Sequence, residues 1–249
     1  MPDEQYYVMS SRRPPVPWTT TVKETWRVCG LLAGPLFLLQ FLQWCVGGRV
    51  LPNFAVCRPE KLPIVPLKEI PRQIREELQS LEQVLHQLDF ITLYATKREG
   101  IEYAFHSELV LLDRCGGVIG FVTWMKHAQM EFPKPKGIIT FSSVNTAGQI
   151  WSTTRGTTIE GFGPADRHAQ SVPSDIRAAE MLDIHRRWVD DQGESLQRFD
   201  VESLQTHCLS ASQSFFDFLV AEGFYEPVSE EDWKRLSKVD RSKWLSDLS

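Results

Sequence analysis

The stretch from Val28 to Val46, VCGLLAGPLFLLQFLQWCV, holds 19 residues and no charged side chain. As an α-helix rising 1.5 Å per residue it would measure about 28 Å, close to the roughly 30 Å hydrocarbon thickness of a bilayer. Trp26 and Trp44 stand near its ends with Arg27 and Arg49 just outside, the pattern of an aromatic belt with cationic flanks. Gln40, Gln43 and Pro35 oppose insertion, whereas six leucines and two phenylalanines favour it. A buried core helix fits less well, because such helices usually show about 10 to 14 apolar residues and Pro35 would break one near its middle. A cleaved signal peptide fits poorly too, since the preceding segment is long and no small-x-small site follows. The reading adopted is a single transmembrane helix over 28–50, making this a single-pass membrane protein. Lys and Arg flank both sides of the stretch, so the side on which the soluble domain lies stays unassigned.

The remainder has ordinary globular usage, with 24% charged and 42% apolar residues in 249. A net charge of -5 supplies no excess of cations for phosphates, so nucleic acid is not an expected partner. Five cysteines, scattered and without a CxxC pair, give no disulfide framework. Residues 1–27, polar and carrying SRRPPVP, read as a disordered tail, and the recurrent prolines of 51–70 read as a semi-rigid stalk. Residues 71–228 form the soluble domain, and 229–249 a C-terminal helical tail.

Within the domain, Ile74, Leu78, Leu81, Leu85 and Leu88 follow a 4-3-4-3 spacing and predict a helix starting near Pro71. The period then changes to two, and turn residues divide the chain into FITLYATK, IEYAFHSELVLLDR, GVIGFVTWMK, GIITFSSV and QIWSTTR. Tight turns are expected near Gly100, Gly116 and Gly148. Downstream, Ser174 is placed to cap a helix carrying Ala178, Met181, Leu182, His185, Trp188 and Val189 on one side. A second helix follows Asp200, with Leu204, Cys208, Ala211, Phe215 and Leu219 aligned and Gly223 as its stop. The expectation is a two-layer α+β fold, a five-stranded antiparallel meander with helices packed on one face, preceded by the transmembrane helix.

Chemistry is harder to find. The sequence holds no Gly-rich phosphate loop, GxSxG elbow or HExxH motif, so a catalyst of a familiar class is not expected and no cofactor is implied. His185 is the one candidate for a catalytic or binding role, because it occupies the apolar face of its helix, where a hydrogen-bonded core histidine is the alternative. Asp183, two positions away, points about 200° around the helix and cannot share a metal with it. A His185, Cys115, Asp183 nucleophilic set can be written from the sequence without any geometry to support it. Asp190 and Asp191 read as a solvated helix end. His106 with Glu108, and His207 with Cys208, have ligand chemistry without a complementary second pair, so no metal is expected. Ser142, Ser152 and Thr154 stand at alternating positions, either as an exposed strand face or as a polar floor beneath a ligand.

The stretch from FSSVNTAGQIWSTT to MLDIHRRW resembles a group of uncharacterised bacterial membrane-anchored proteins that combine an N-terminal apolar segment with such a domain. That resemblance implies no activity. The function expected is a membrane-tethered interaction or sensing module, bound to the membrane through residues 28–50 and open to a protein partner. The alternatives are a membrane-anchored hydrolase or transferase with a pocket near His185, and a structural subunit of a membrane complex.

Overall fold

The computed structural model describes residues 6–9, 55–98, 105–126, 137–156 and 163–236. In chain order they form strands β1 (Tyr6–Met9), β2 (Ala55–Cys57) and β3 (Ile64–Val65), then helix α1 (Arg72–His86). Strands β4 (Phe90–Arg98), β5 (Phe105–Asp113), β6 (Ile119–Lys126), β7 (Ile138–Val144), β8 (Ile150–Arg155) and β9 (Arg167–Val172) follow. Helices α2 (Ala178–Asp190) and α3 (Val201–Ala221), strand β10 (Tyr225–Pro227) and helix α4 (Glu230–Leu236) complete the order. These residues fall into two compact units, one drawn from within Met1–Arg58 and Phe216–Val239, the other from within Pro59–Phe215.

The larger unit is built on a seven-stranded sheet of order β3-β4-β5-β6-β7-β8-β9. The five consecutive strands expected from the period-two pattern are its antiparallel centre, β4 to β8. The five-stranded description needs correction at both edges. β3 adds antiparallel to β4, and β9 adds parallel to β8, so the sheet is mixed. Neither edge announces itself: β3 is two residues between Pro63 and Pro66, and β9 reads RHAQSV, without the apolar alternation that marks a half-buried strand. The turns follow local chemistry. Asp113 Oδ1 accepts the N–H groups of Gly117 (2.9 Å) and Val118 (3.1 Å), and Gly116 takes φ +73 in between. Between β7 and β8, Asn145 Oδ1 accepts the Gln149 N–H at 2.8 Å around Gly148 at φ +88.

α1 buries Ile74, Leu78 and Leu85 against one face of the sheet, where Leu109, Leu111, Val122 and Phe141 meet them together with Met181 and Leu182 of α2. Each of these fully buried aliphatic side chains contributes about 1.5–3 kcal/mol relative to exposure. Trp124 adds direction, its indole N–H donating to Glu77 Oε2 of α1 at 3.0 Å. α2 begins after Arg177 with no side-chain cap, so Ser174, expected in that role, does not fill it.

The second correction concerns layers. Leu109 and Leu111 of β5 face α1 and α2, but Val110 and Leu112 face a separate core with Tyr94, Ile119, Val144, Phe199 and Leu204. Leu204 belongs to α3, so helices cover both faces and the larger unit has three layers instead of two. Gly116 lies close to this second core: a Cβ there would stand 2.8 Å from the Phe199 carbonyl oxygen.

The smaller unit is a three-stranded antiparallel sheet, β10-β1-β2, with β1 in the middle. Val56, Phe216, Tyr7, Val220 and Tyr225 form its core, Tyr7 meeting Phe216 edge to face at 5.2 Å. Arg58 grips Asp217 through Nε and Nη2 at 2.9 and 3.0 Å.

This sheet overturns the single-pass reading. β1 precedes the apolar stretch and β2 follows it, yet Tyr6 lies opposite Cys57 and Tyr7 opposite Val56. One crossing in between would hold those partners about 30 Å apart on opposite sides of a bilayer. Among the described residues no helix is long and apolar enough to cross a membrane. Val28–Val46 itself lies outside the described residues, and the transmembrane helix over 28–50, with the membrane localisation drawn from it, is withdrawn. β2 and β3 fall within 51–70, where a stalk is expected, and the turn near Gly100 lies outside the described residues.

Candidate functional site

His185 sits on the third turn of α2 and reaches the sheet between β7 and β8, with no exposed surface. Its Nε2 is 3.0 Å from Ser143 Oγ of β7 and its Nδ1 3.0 Å from Thr153 Oγ1 of β8. The protons can be assigned from the neighbours. Ser143 donates its only hydroxyl proton to the Gly117 carbonyl at 3.1 Å, so towards His185 it accepts, and Nε2 carries the hydrogen. Nδ1 of the neutral ring is then an acceptor, and Thr153 donates to it while accepting from Gln170 Nε2 at 2.8 Å. One continuous chain results, Gln170 to Thr153 to His185 to Ser143 to the Gly117 carbonyl, with every link oriented the same way. Burial, reinforced by the positive charge of Arg186, pushes the His185 imidazole down to about 4, so the ring is neutral at pH 7.

The His185, Cys115, Asp183 set does not form. Cys115 is exposed at the β5–β6 turn, Asp183 is exposed on α2, and both ring nitrogens of His185 are committed elsewhere. Ser143 and Thr153 are fully buried as well, so a substrate reaches none of the three unless α2 lifts from the sheet. Asp190 and Asp191 are exposed at the end of α2.

The remaining candidates gather around α3. His106 and Glu108 lie on the β5 face that α3 covers, and the fold brings Glu108 close enough to Cys208 for its charge to raise the thiol. Burial is the larger cause, and together they push Cys208 up to about 11, so it is a protonated, unreactive thiol. The Tyr94 phenol, raised by burial and by the same two neighbours, stays protonated beside it. His207 instead packs on the Phe199 ring at 5.1 Å, its basicity lowered by burial and then by Arg167. Among the described residues no three His, Cys, Asp or Glu side chains are placed to hold a metal ion. A shallow polar groove of about 510 Å³ runs along the start of α3, lined by Asp200, Ser203, Thr206, His207 and Ser210 among others. Asp200 and Ser203 spend their polar atoms on capping the helix, at 2.8 and 3.0 Å.

The sheet face under α3 carries a second set of polar side chains. Register places Thr96, Glu108 and Thr123 in one cross-strand row between Ile64 and Ile138, both of which are exposed. The next row runs Tyr94, Val110, Phe121, Thr140, Thr154, and the one after it Leu112, Ile119, Ser142, Ser152. Three neighbouring pairs are hydrogen-bonded across strands: Thr123 donates to Glu108 at 2.9 Å, Thr140 and Thr154 meet at 3.1 Å, and Ser142 and Ser152 at 2.7 Å. Apart from Ser142, which is buried, these six side chains are half-buried. The alternation of Ser142, Ser152 and Thr154 therefore does mark one face. Thr140, Thr123 and Glu108 complete it, and only strand register reveals them.

No protein-family model matches the chain, and no curated protein and no solved structure is significantly similar to it. The resemblance to membrane-anchored bacterial proteins gains no support from these comparisons.

Proposed function

We propose that the chain is a ligand-binding module, and that it binds through the hydroxyl-bearing face of the seven-stranded sheet. The observation that carries this reading is the run of three cross-strand polar pairs in adjacent rows. In the Thr140–Thr154 and Ser142–Ser152 pairs one hydroxyl donates to the other, and the second hydroxyl proton of each is left for a partner, whereas Thr123 spends its one proton on Glu108. Such a surface, half shielded from water, favours a partner that supplies acceptors in fixed positions. A pocket centred on His185 is a weaker basis for function, since its nitrogens are already paired inside the core.

The test is a thermal-shift and ¹⁵N-NMR screen of the full chain against four probe classes: saccharides, polyamines, dicarboxylates and inorganic phosphate. At least one class is expected to bind saturably and to move resonances of β7 and β8. Thr154→Val should abolish that binding while leaving Tm within about two degrees. Binding that Thr154→Val leaves intact, or the absence of binding by every class, would refute the assignment of this face.

A further inference from the structure

Resting on the reading of that face as the binding surface, we infer that its ligand carries an oxyanion, a carboxylate or phosphate group, and that Arg167 receives it. Parallel pairing of β8 with β9 sets Arg167 opposite Ile150, Ala169 opposite Ser152 and Ser171 opposite Thr154, so Arg167 stands in the row next to the Ser142–Ser152 pair. The Arg167 side chain is half-buried, its guanidinium lies 5.1 Å from the centroid of the Phe215 ring, and its Nη2 donates to the Ala211 carbonyl. α3 thereby holds the planar group in one orientation, over a ring face that favours a cation. Among the described residues no ion pair neutralises it, and its Nε has no acceptor. The one carboxylate that bears on its charge is Asp166, exposed and next in sequence. That charge still reaches His207, whose basicity is lowered first by burial and then by Arg167.

A cation taken partly out of water without a counter-ion is costly, and an occupant that covers it further adds to the cost unless it brings the opposite charge. A neutral ligand at this end of the face would desolvate the guanidinium without neutralising it, and a polyamine would add like charge. An oxyanion supplies the counter-charge and accepts two parallel N–H donors from an arginine. The neighbouring hydroxyls complete the fit. Ser152 is the diagonal neighbour of Arg167, and diagonal neighbours on one sheet face lie about 7–8 Å apart, within reach of a long side chain. Ala169, between Arg167 and Ser171 on that face, places only a methyl group over the intervening ground. The proton left over in the Ser142–Ser152 pair is available to the oxyanion, and that of the Thr140–Thr154 pair, one row on, to an acceptor on the body of the ligand. The other charged positions stand at the far end of the face: Glu108 is already engaged, by Thr123 among others, and register places Arg98 in the row beyond it. Neither adjoins Arg167 in register, so the charge at the β9 end is balanced locally or by a ligand.

The experiment is a titration of the full-length chain with glutarate and with glycerol phosphate, followed by calorimetry and ¹H–¹⁵N spectra. Glucose and spermidine serve as the neutral and cationic comparisons. Glutarate or glycerol phosphate is expected to bind saturably, more weakly as salt is raised, and to shift the amides of residues 152–154 and 167–169 together with the Arg167 Nε–H. The one that binds more tightly separates carboxylate from phosphate as the source. Arg167→Gln should weaken that binding about tenfold or more, Arg167→Lys by less, and Thr154→Val should abolish it. Because Arg167 also ties α3 to the sheet, a failure of Arg167→Gln to fold moves the test to the natural chain, where an Arg167 Nε–H unmoved at saturation overturns the oxyanion. If glucose or spermidine binds instead, and Thr154→Val removes that binding while Arg167→Gln leaves it, the oxyanion falls and the binding face stands. If an anion binds and is lost in Arg167→Gln but kept in Thr154→Val, the face falls and the anion site at Arg167 stands. If no probe binds, both fall.

Discussion

At neutral pH the His185 ring accepts from Thr153 and donates to Ser143, and a second ring proton has nowhere to go. Protonating Nδ1 would force Thr153 to accept from both the ring and Gln170, turning its own hydroxyl proton toward no acceptor. The ring's affinity for protons is therefore lower in the folded state, about 4 against an ordinary 6.5, with burial as the main cause. With the folded value depressed for a base, the unfolded chain binds more protons between those limits, so stability rises with pH there. This contribution is complete above pH 6.5 and is lost as pH falls toward 4. Its size, from 1.36 kcal/mol per tenfold change, is on the order of 3 kcal/mol. Urea unfolding at pH 7.5 and 4.5 should show a loss in the natural chain that exceeds the loss in His185→Gln by about 2 kcal/mol or more. Equal losses in both would mean that the imidazole is not held neutral by its surroundings. At pH 7.5 the same substitution should itself cost about 1–3 kcal/mol, because it leaves one of the two hydroxyl partners unsatisfied.

Among the elements, β5 decides the architecture. Its run Leu109–Val110–Leu111–Leu112 is apolar without alternation, which is the pattern of a strand covered on both faces. The α3 stripe shows only that the helix must cover something apolar; the continuous run on β5 is the signal that a second face awaits cover. The strands β4 to β8, their turns at Gly116 and Gly148, and the inward placement of His185 are all legible from periodicity and turn chemistry. The partners of His185 are not, because Ser143 and Thr153 meet it through register between distant segments, and neither carries a local mark of that contact. The same holds for Glu108 and Thr140 on the proposed binding face. The two-sided sheet can be tested on each side. Met181→Ala on α2 and Leu204→Ala on α3, both fully buried, should each cost about 2–5 kcal/mol in urea denaturation. A loss below about 1 kcal/mol for Leu204→Ala would show that α3 does not seal the second core. Gly116→Ala should be costly for its size, since a Cβ there meets the Phe199 carbonyl oxygen at 2.8 Å in a left-handed backbone. A cost of at least about 1–3 kcal/mol is expected, and a neutral result would show that the turn relaxes freely.

For the molecule as a whole, the unequal construction of the two units leads to a separable loss. β1 is the middle strand of the three-stranded sheet, pairing Val8 with Glu226 on one side and Ala55 on the other. Deleting residues 1–58 removes both β1 and β2 and leaves β10, three residues long, with no partner strand among the described residues. Val56 and Tyr7 leave the small core with them, so Phe216, Val220 and Tyr225 lose the apolar surface that covers them. An isolated strand of that length has no independent stability in water. The seven-stranded sheet, by contrast, draws every strand and its largest fully buried side chains from residues 64–204. Hydrogen exchange on a chain beginning at Pro59 should therefore show slow amides retained in β5, β6 and β7, with fast exchange from Phe216 onward through β10. Val8→Pro in the full chain should act in the same place by removing a ladder donor from the middle strand. If the truncated chain instead loses protection throughout β5 to β7, the larger sheet depends on the smaller unit for its folding, and the two are one cooperative structure. If protection from Phe216 through β10 survives the deletion, the strand pairing of Tyr6–Met9 with Tyr225–Pro227 is not what orders that end of the chain.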